Sequence, residues 1–373
     1  MKYYLITGEA SGDLHGANLM HSLKEFDNQA RFRFWGGDKM KKEDGNLAKH
    51  FKDISFMGFW EVIKHLDTII SSLNFCKRDV LQFAPDALIL IDFPGFNLRI
   101  ASWAKNKGMS VFYYISPQVW AWKPGRIQKI KETVDQMYVI LSFEKDFYRQ
   151  YSYDVEFVGH PLLDEIAAYQ SQDNFRIQSK LSEAPIIALL PGSRKQEIQM
   201  ILPKMLAVCH HFPGYQFVIG GLSNHGQEFY HHILSKVDKD IPVCLDNTYA
   251  LLSEAYAALV TSGTATLETA IFNVPQVVVY AGSAVSYWIA RRLVRVPYIS
   301  LVNLIMEKAV VKELIQRNFN TANLRVSLTE ILDDHSRSRV LSEYAILREK
   351  LGESGASRRT ANLIYTYLRN QNV

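Results

Sequence analysis

Short apolar segments alternate with helical patterns along the whole chain. Each segment carries hydrophobic side chains at both odd and even positions. A strand with this pattern is covered on both faces of its sheet, as in a parallel sheet flanked by helices. The pattern predicts strands at Tyr3–Thr7, Phe32–Trp35, Ala87–Ile91, Val111–Ile115, Gln136–Ile140, Val155–Val158, Ile186–Leu190, Gln216–Ile219, Pro242–Leu245, Ala257–Val260 and Val277–Tyr280.

The alternation of strand and helix indicates an α/β protein with two doubly wound, Rossmann-like domains. The first series of strands ends at Gly159-His160-Pro161, and the polar stretch Tyr169–Glu183 is typical of a loop or linker. We therefore expect one domain over residues 1–165 and another over 166–345. Residues 346–373 predict C-terminal helices, with a break at Gly352–Ser357.

Composition narrows the choice of function classes. The net charge of +4 is too small to indicate a nucleic-acid partner by itself. Cys76, Cys209 and Cys244 are scattered, so the sequence predicts neither a disulfide framework nor a zinc site and is typical of a reducing cytoplasm. The Tyr3–Thr7 segment is too short for a signal peptide, and no run of about 18 apolar residues predicts a spanning helix. The histidines lack the spacing of a helical metal site.

Two turns in the second half have the features of an anion-binding loop. Leu190-Pro191-Gly192-Ser193-Arg194 and Ser262–Glu268 each follow an apolar strand and lead into a helical pattern. The free backbone N–H groups at such a helix start favour a bound phosphate, and a pair of turns suggests a cradle for a diphosphate. The Arg194 guanidinium can bind phosphate oxygens. Glu268 can bond a ribose diol or serve instead in a capping box.

Two turns in the first half carry acidic side chains. Gly8-Glu9-Ala10-Ser11-Gly12-Asp13 follows the first strand, but it is not the dinucleotide-binding GxGxxG pattern and also fits an ordinary turn. Asp13 is either a helix N-cap or a ligand. Asp92 ends a strand at the edge where open α/β sheets bind ligands, so it can accept a proton from a sugar hydroxyl or merely cap its loop. Asn97 either orients the same substrate or caps the next helix.

A third segment combines aromatic and amide side chains. Ser116–Lys123 includes Gln118, Trp120 and Trp122 at a strand end. Such a wall is suited to stacking on a sugar, although both indoles could equally be packing residues. Two further stretches, Phe56–Trp60 with the helical pattern after it and Tyr287–Tyr298, have the chemistry of contact with lipid or of buried helix packing.

With these motifs taken together, the sequence resembles the lipid-A-disaccharide synthases, glycosyltransferase family 19, which are of the two-Rossmann-domain (GT-B) type. Strings specific to the family are Ser116–Trp122 and Leu189–Arg194, and the matches run in family order as far as Gln316. The other matching segments are Gly8–Asp13, Met57-Gly58, Ile91–Asn97, Phe143-Glu144-Lys145, Val158–Pro161, Ser262–Glu268, Tyr298–Leu304 and Lys312–Gln316.

The resemblance implies two domains that face each other across a cleft, an acceptor domain followed by a donor domain. It also implies transfer of a 2,3-diacylglucosamine from UDP to the 6-hydroxyl of 2,3-diacylglucosamine 1-phosphate, with inversion. The family aspartate that matches Asp92 is a candidate general base. We expect substrate contacts from Glu9, Ser11, Asp13, Asn97, Gln118 and Trp120. We expect UDP contacts from Gly192, Ser193, Arg194, Ser262, Gly263, Thr264, Glu268 and Asn303.

The resemblance further implies no metal or other cofactor and a peripheral position on the cytoplasmic face of the inner membrane. It implies a monomer, or a homodimer that exchanges C-terminal parts; otherwise the C-terminal helices would pack back on the first domain. Gly95 departs from the family, where many members have a second aspartate. The alternatives are another nucleotide-sugar enzyme, such as a UDP-N-acetylglucosamine 2-epimerase or a cell-wall lipid glycosyltransferase, and a non-catalytic nucleotide-sugar sensor.

Overall fold

The computed structural model describes residues 1–53, 66–122, 124–235, 241–282 and 297–371. The chain forms two compact α/β units, one made of Met1–Asp164 with Leu351–Val373 and the other of Glu165–Lys350. The predicted lipid-contact segment Phe56–Trp60 lies outside the described residues, as does most of Tyr287–Tyr298. Among the helices that the structure describes, none has the length and apolar character needed to cross a bilayer.

The first unit alternates strands and helices as the sequence predicts. Short 3₁₀ turns lie at Phe51–Asp53 and Pro124–Arg126. The elements are β1 (Lys2–Ile6), α1 (Ala10–Phe26), β2 (Arg31–Gly36), α2 (Asp38–Lys41), β3 (Asn46–His50), α3 (Leu66–Phe83), β4 (Ala87–Ile91), α4 (Pro94–Lys105), β5 (Val111–Tyr114), α5 (Val119–Trp122), α6 (Ile127–Thr133), β6 (Gln136–Val139), α7 (Ser142–Arg149), β7 (Glu156–Phe157) and α8 (Leu162–Ala167).

Its strands form a seven-stranded parallel sheet in the order β3-β2-β1-β4-β5-β6-β7. Successive residues of a strand face opposite sides, so each central strand supplies two cores. On one side Tyr4 and Leu88 pack with Ile100 of α4, and on the other Leu5 packs with Leu23 of α1. Burial on both faces explains why strands such as β4 and β5 are apolar at both odd and even positions.

The second unit repeats the pattern. Short 3₁₀ turns lie at Cys209–His211, Ser223–His225 and Gln316–Asn318. The elements are α9 (Phe175–Gln178), β8 (Ile186–Leu190), α10 (Lys195–Leu206), β9 (Gln216–Gly221), α11 (Gln227–Leu234), β10 (Val243–Leu245), α12 (Thr248–Glu254), β11 (Ala255–Thr261), α13 (Thr264–Ile271), β12 (Gln276–Tyr280), α14 (Leu301–Met306), β13 (Lys312–Ile315), α15 (Thr321–Leu332) and α16 (Asp334–Leu351). The described strands form a six-stranded parallel sheet in the order β10-β9-β8-β11-β12-β13.

Every strand predicted from the apolar pattern is present, and the structure adds β3 and β13. Both are edge strands, and each pairs with one neighbour among the strands that the structure describes. Their sequences, Asn46–His50 and Lys312–Ile315, mix polar and apolar residues because one flank faces away from the sheet. A search for continuous apolar runs therefore passes over them.

The polar stretch Tyr169–Glu183 is only partly a loop. It contains the short helix α9, whose Phe175 is buried in the core of the second unit beside Ala188 and Leu251. Phe175 anchors the stretch together with Tyr169 and Leu181, which pack against the same core. The polar residues around them conceal these anchors in the sequence.

The chain returns to the first unit at its C-terminus through α17 (Ala356–Gln371). Ile364 and Leu368 of this helix pack in the same core as Met20 of α1. The sequence placed the start of the C-terminal helices at 346, whereas α16 extends from the second unit to Leu351 and the break follows at residues 352–355.

Asp164 caps the start of α17. Its carboxylate accepts hydrogen bonds from the backbone N–H groups of Gly355, Ala356 and Ser357. A capping carboxylate of this kind stabilises a helix by about 1 kcal/mol.

We expect Asp164→Ala to lower the free energy of unfolding of the first unit by about 1–2 kcal/mol, because three helix-terminal donors lose their acceptor. Urea titration monitored by circular dichroism measures this change. Asp173→Ala, at an exposed position, is the matched control and should leave the midpoint unchanged. Equal stability of the two variants would contradict the capping role.

Candidate functional site

Each sheet has one place where neighbouring strands lead into helices on opposite faces. In the first unit this place lies between β1 and β4, and the loops that follow them meet there. A Cβ atom on Gly8 would lie 2.3 Å from the Phe93 ring, so glycine is required for the close approach of the two loops. Ligands of open α/β sheets bind at such a switch point, and this one presents Asp92.

Asp92 is held in an unusual backbone conformation. Asp92 and Phe93 both have left-handed φ angles, +45° and +51°. Such a conformation costs on the order of 1–3 kcal/mol per residue away from glycine and has to be held by its surroundings. The Asp92 carbonyl accepts hydrogen bonds from Asn97 Nδ2 at 2.7 Å and from Tyr113 Oη at 2.6 Å. These bonds fix the loop that carries the carboxylate.

The environment of Asp92 raises its pKa to about 6. Burial is the larger cause, and the negative charge of Glu9 adds to it. The carboxylate lines a cavity of about 290 Å³ together with Ser116, Gln118 and Glu144. A carboxylate with this pKa is ionised at neutral pH and is a stronger base than an exposed aspartate.

Glu9 and Ser11 lie beside this site at the start of α1. The Ser11 hydroxyl donates to Glu9 Oε1 at 2.7 Å. Ser11 is exposed and Glu9 is half-buried. Both therefore remain candidates for substrate contact, and the negative charge of Glu9 in addition helps burial to raise the pKa of Asp92.

Asp13 and Asn97 have structural partners instead. Asp13 is buried, and its carboxylate accepts from the backbone N–H groups of Gly37, Lys39 and Met40 at the start of α2. Asn97 is fully buried and donates to backbone carbonyls, including that of Asp92. Asp13 is not the N-cap of its own helix, because α1 begins at Ala10 with Glu9 at the cap position; it caps α2 instead. Asn97 lies inside α4 and holds the loop that carries Asp92, and substrate contacts from both residues stay predictions.

Trp120, the first of the two tryptophans in the Ser116–Lys123 segment, is a packing residue in this structure. The Trp120 ring contacts Phe143 edge to face, with centroids 5.0 Å apart, and its Nε1 donates to Glu144 Oε1 at 3.2 Å. The stacking of a sugar on Trp120 is thus the less favoured alternative, while Gln118 is exposed and lines the Asp92 cavity. The side chain of Trp122 lies outside the described part of the chain.

Glu144 is a buried acid to which the sequence analysis assigned no role. Burial raises its pKa to about 7, against hydrogen bonds donated by Leu141 N and Trp120 Nε1. It lines the same cavity as Asp92. Two sequence signals pointed to it: Glu144 lies in a segment that matches the family, Phe143-Glu144-Lys145, and in the first turn of α7. Neither assigns it a role, because an acidic residue in a first helical turn is also the signature of an ordinary helix start.

In the second unit the switch point lies between β8 and β11. The loop after β11 leads into α13, which begins at Thr264 with Gly263 as N-cap and no side-chain cap. Gly263 and Thr264 are exposed, so the first backbone N–H groups of α13 face solvent. This open helix start has the donors and the dipole that bind a phosphate.

The Gly192–Arg194 loop after β8 differs from expectation. The backbone N–H groups of Ser193 and Arg194 already donate to the Glu197 carboxylate, with Ser193 N 3.3 Å from Glu197 Oε2. Gly192 has a φ of +109°, and a Cβ atom there would lie 2.2 Å from the same oxygen. The Ser193 backbone donor is therefore engaged in this structure, and its contact with UDP stays a prediction. The exposed Arg194 side chain is the loop's other route to an anion.

Glu268 lies on α13 in a half-buried position. Burial and the charge of Glu165 raise its pKa to about 7. Tyr249 Oη donates to Glu165 Oε2 at 3.3 Å, so both carboxylates and the phenol form one cluster. The capping-box alternative is wrong, because the helix begins at Thr264 and its cap position has no side-chain hydrogen bond.

Asn303 is buried and fully engaged with its own neighbours. Its Oδ1 accepts from Val310 N and Val311 N, and its Nδ2 donates to Val311 O and Glu313 Oε1. These bonds tie the start of α14 to β13. The Asn303 side chain is thus engaged by its own neighbours in this structure, and its contact with UDP stays a prediction.

Ser262 takes part in the same hydrogen-bonded network around the start of α14. Its hydroxyl donates to Ile299 O at 2.7 Å. Glu313 accepts in turn from the backbone N–H groups of Ile299 and Ser300. The loop before α13 is thereby anchored to the segment before α14.

Within the described ranges, no three His, Cys, Asp or Glu side chains converge as a metal site.

Comparison with solved structures shows the fold. The UDP-GlcNAc 2-epimerase from Neisseria meningitidis, bound to UDP-GlcNAc, superposes with a TM-score of 0.68 at 14% identity, covering 98% of this chain and 100% of that one. The glycosyltransferase of kitacinnamycin gives a TM-score of 0.65 at 13% identity, covering 97% and 98%.

The two parallel-sheet units and their neighbours define a protein of the GT-B class, which includes glycosyltransferases and epimerases. The model of the lipid-A-disaccharide synthetase family matches residues 3–364. The lipid-A-disaccharide synthase of Syntrophus aciditrophicus is 39% identical over 372 residues, covering 98% of this chain and 97% of the relative. That of Trichlorobacter lovleyi is 37% identical over 366 residues, covering 96% of each. The chain belongs to the lipid-A-disaccharide synthetase family and is a glycosyltransferase of lipid A biosynthesis.

Proposed function

We propose that the enzyme transfers 2,3-diacylglucosamine from its UDP ester to the 6-hydroxyl of 2,3-diacylglucosamine 1-phosphate. The oxygen of that hydroxyl forms a bond to the anomeric carbon of the donor. The bond between this carbon and the diphosphate breaks on the opposite side, so the configuration inverts. The products are a β-1,6-linked lipid disaccharide and UDP.

Asp92 is the general base of this reaction. Its ionised carboxylate takes the proton from the acceptor hydroxyl as the new bond forms, and the raised pKa matches that task. Glu9, Ser11 and Gln118 contact the acceptor from positions around the same loop. The buried Asn97 acts through the backbone of Asp92, which it holds in place.

The second unit binds the UDP portion. The N-terminus of α13 at Gly263 and Thr264 binds the diphosphate through backbone N–H groups, and Arg194 adds a full positive charge. Glu268 bonds the ribose hydroxyls. Ser262 and Asn303 support this site through backbone contacts. The charge that develops on the departing UDP is thus met by donors that are already in place.

The observation that supports this proposal best is that a chain of this family has a half-buried carboxylate with a raised pKa at the first switch point and an uncapped helix start at the second. Incubation of the protein with UDP-diacylglucosamine and diacylglucosamine 1-phosphate tests it, with mass spectrometry of the lipid product. UDP release with the acylated but not with a deacylated acceptor is expected. An epimerase would change the UDP-sugar without an acceptor, and a sensor would bind it unchanged.

We further propose that the reaction takes place at the cytoplasmic face of the inner membrane, with the enzyme bound peripherally. Both substrates carry acyl chains, which partition into a bilayer. Sedimentation of the protein with lipid vesicles tests this, and full recovery in the supernatant would contradict it.

The pH dependence of transfer follows from the pKa of Asp92. Because the base must be ionised, kcat/KM should fall as the pH drops through about 6. The Glu9 charge contributes to that pKa, so Glu9→Gln should move the acid limb to lower pH. Glu132→Gln, an exposed change on α6, should leave the limb in place. If Glu9→Gln leaves the pH at which kcat/KM falls unchanged, the Glu9 charge does not act on the base.

A further inference from the structure

A second cavity of about 340 Å³ lies in the first unit beside the Asp92 cavity. Its walls come from α3, from the loop after β4, from α4 and from the start of α6 with the turn before it, and they are chiefly apolar. The apolar contributions are those of Ile69, Phe93, Pro94, Phe96 and Leu98. The volume lies within the range of sites that bind small molecules, which are lined mostly by hydrophobic side chains.

The two cavities adjoin. Pro94 and Arg126 line both of them. Asp92 borders the first cavity and its neighbour Phe93 borders the second, so the same strained loop separates the two spaces. A ligand that places a hydroxyl at Asp92 can therefore extend an apolar part past Pro94 into the second cavity.

The edge of the second cavity is positively charged. Arg99, Arg126 and Lys129 lie among its lining residues, and Arg99 and Lys129 are exposed. Within the described part of the chain, no acidic side chain lines it. Such an arrangement suits an amphiphile with an anionic group, because the cations bind a phosphate while the walls cover hydrocarbon.

We propose that this cavity holds an acyl chain of the acceptor and that the three cations at its edge bind the acceptor phosphate. The proposal rests on the proposed function, since it assigns to the acceptor a site next to the base that deprotonates it. The acceptor is favoured over the donor because the donor's diphosphate has its own site at the start of α13. Arg126, which borders both cavities, lies between the sugar and the chain.

Binding of dodecyl phosphate below its micellar concentration tests the site without reference to transfer. We expect Ile69→Asp to weaken this binding at least tenfold by calorimetry, because a carboxylate enters the apolar wall. Ile70→Asp is the matched control. Ile70 is the next residue of α3, is 50% exposed and does not line the cavity. The affinity of Ile70→Asp for dodecyl phosphate should therefore stay within twofold of the wild-type value.

A second variant guards against misfolding of Ile69→Asp. A Cβ atom on Gly95 would meet no atom within 4 Å, so Gly95→Leu is expected to fold. Gly95 lines the cavity, and the larger side chain should narrow it and weaken dodecyl phosphate binding. Equal affinity of wild type, Ile69→Asp and Gly95→Leu would overturn the assignment of the chain site.

The phosphate site is tested separately by a double variant, Arg99→Ala with Lys129→Ala. It should weaken dodecyl phosphate binding at least fivefold and leave binding of dodecanol unchanged. Lys107→Ala, an exposed lysine that lines neither cavity, is the control. Equal losses for dodecyl phosphate and dodecanol would overturn the role of the cations.

The transfer assay distinguishes the source of the chain and separates this inference from the proposed function. Ile69→Asp should raise KM for the acylated acceptor and leave KM for the donor unchanged; a change in the donor KM alone would overturn the choice of acceptor. If the wild type is active and Ile69→Asp has the same KM for the acceptor, the cavity assignment is overturned but the proposed reaction stands. If the wild type shows no transfer but binds dodecyl phosphate, and Ile69→Asp weakens that binding, only the proposed reaction is overturned.

Discussion

Asp92→Asn is expected to lower kcat for disaccharide formation by about 10²–10⁴-fold while UDP binding is unchanged. Asparagine cannot accept a proton at neutral pH, so the general-base contribution is lost. The proposed UDP site belongs to the other unit and should keep its donors. Asparagine is also among the residues that tolerate a left-handed φ, so the loop held by Asn97 and Tyr113 should keep its shape.

Steady-state transfer with mass spectrometry measures the loss, and calorimetry with UDP measures the retained binding. The melting temperature separates a chemical from a structural effect. Because burial raises the pKa of Asp92 above its ordinary value, the ionised side chain destabilises the folded state near pH 7, and the neutral asparagine should keep or raise Tm. Asp146→Asn, at an exposed ion pair with Arg149, is the control. Turnover close to that of wild type would exclude Asp92 as the base.

The central strands of both sheets could be predicted because their burial on two faces leaves a continuous apolar signature. Edge strands such as β3 and β13 have one unpaired flank and therefore a mixed sequence. The order of the strands, which creates the two switch points, depends on contacts between distant residues. The positions of Asp92 and of the α13 start at those points follow from the α/β rule once the strands are known.

The site itself was harder to predict, since polar residues at loop ends serve either ligands or the loop. Asp13 and Asn303 have the residue types and positions of ligand contacts, yet their hydrogen bonds go to backbone groups. Glu197 presents the opposite case, a residue that looks purely structural in the sequence but bears on the candidate site. Its spacing from Arg194 is that of an ordinary helix-capping acid, but it covers the donors that the sequence assigned to phosphate. Only the three-dimensional partner of each group decides between these alternatives.

Arg194→Ala is expected to weaken UDP binding by roughly 10- to 150-fold. A charge-assisted hydrogen bond contributes about 1.5–3 kcal/mol, and this range corresponds to that change in Kd. Since Glu197 already accepts the Ser193 and Arg194 backbone donors, the guanidinium is the main cationic contribution that this loop can make to the diphosphate. Isothermal titration with UDP, UMP and uridine measures the effect.

The pattern across these three ligands is the sharper test of the diphosphate site. Loss of a contact to the diphosphate should be large for UDP, smaller for UMP and absent for uridine, because only the phosphates interact with the guanidinium. Arg325→Ala, an exposed arginine on α15, changes the net charge equally and should leave all three affinities unchanged. If Arg194→Ala binds UDP as tightly as wild type, the loop after β8 does not contribute to phosphate binding, and the start of α13 remains as the proposed phosphate site. A uniform loss for all three ligands would instead indicate that Arg194 supports the fold of the second unit.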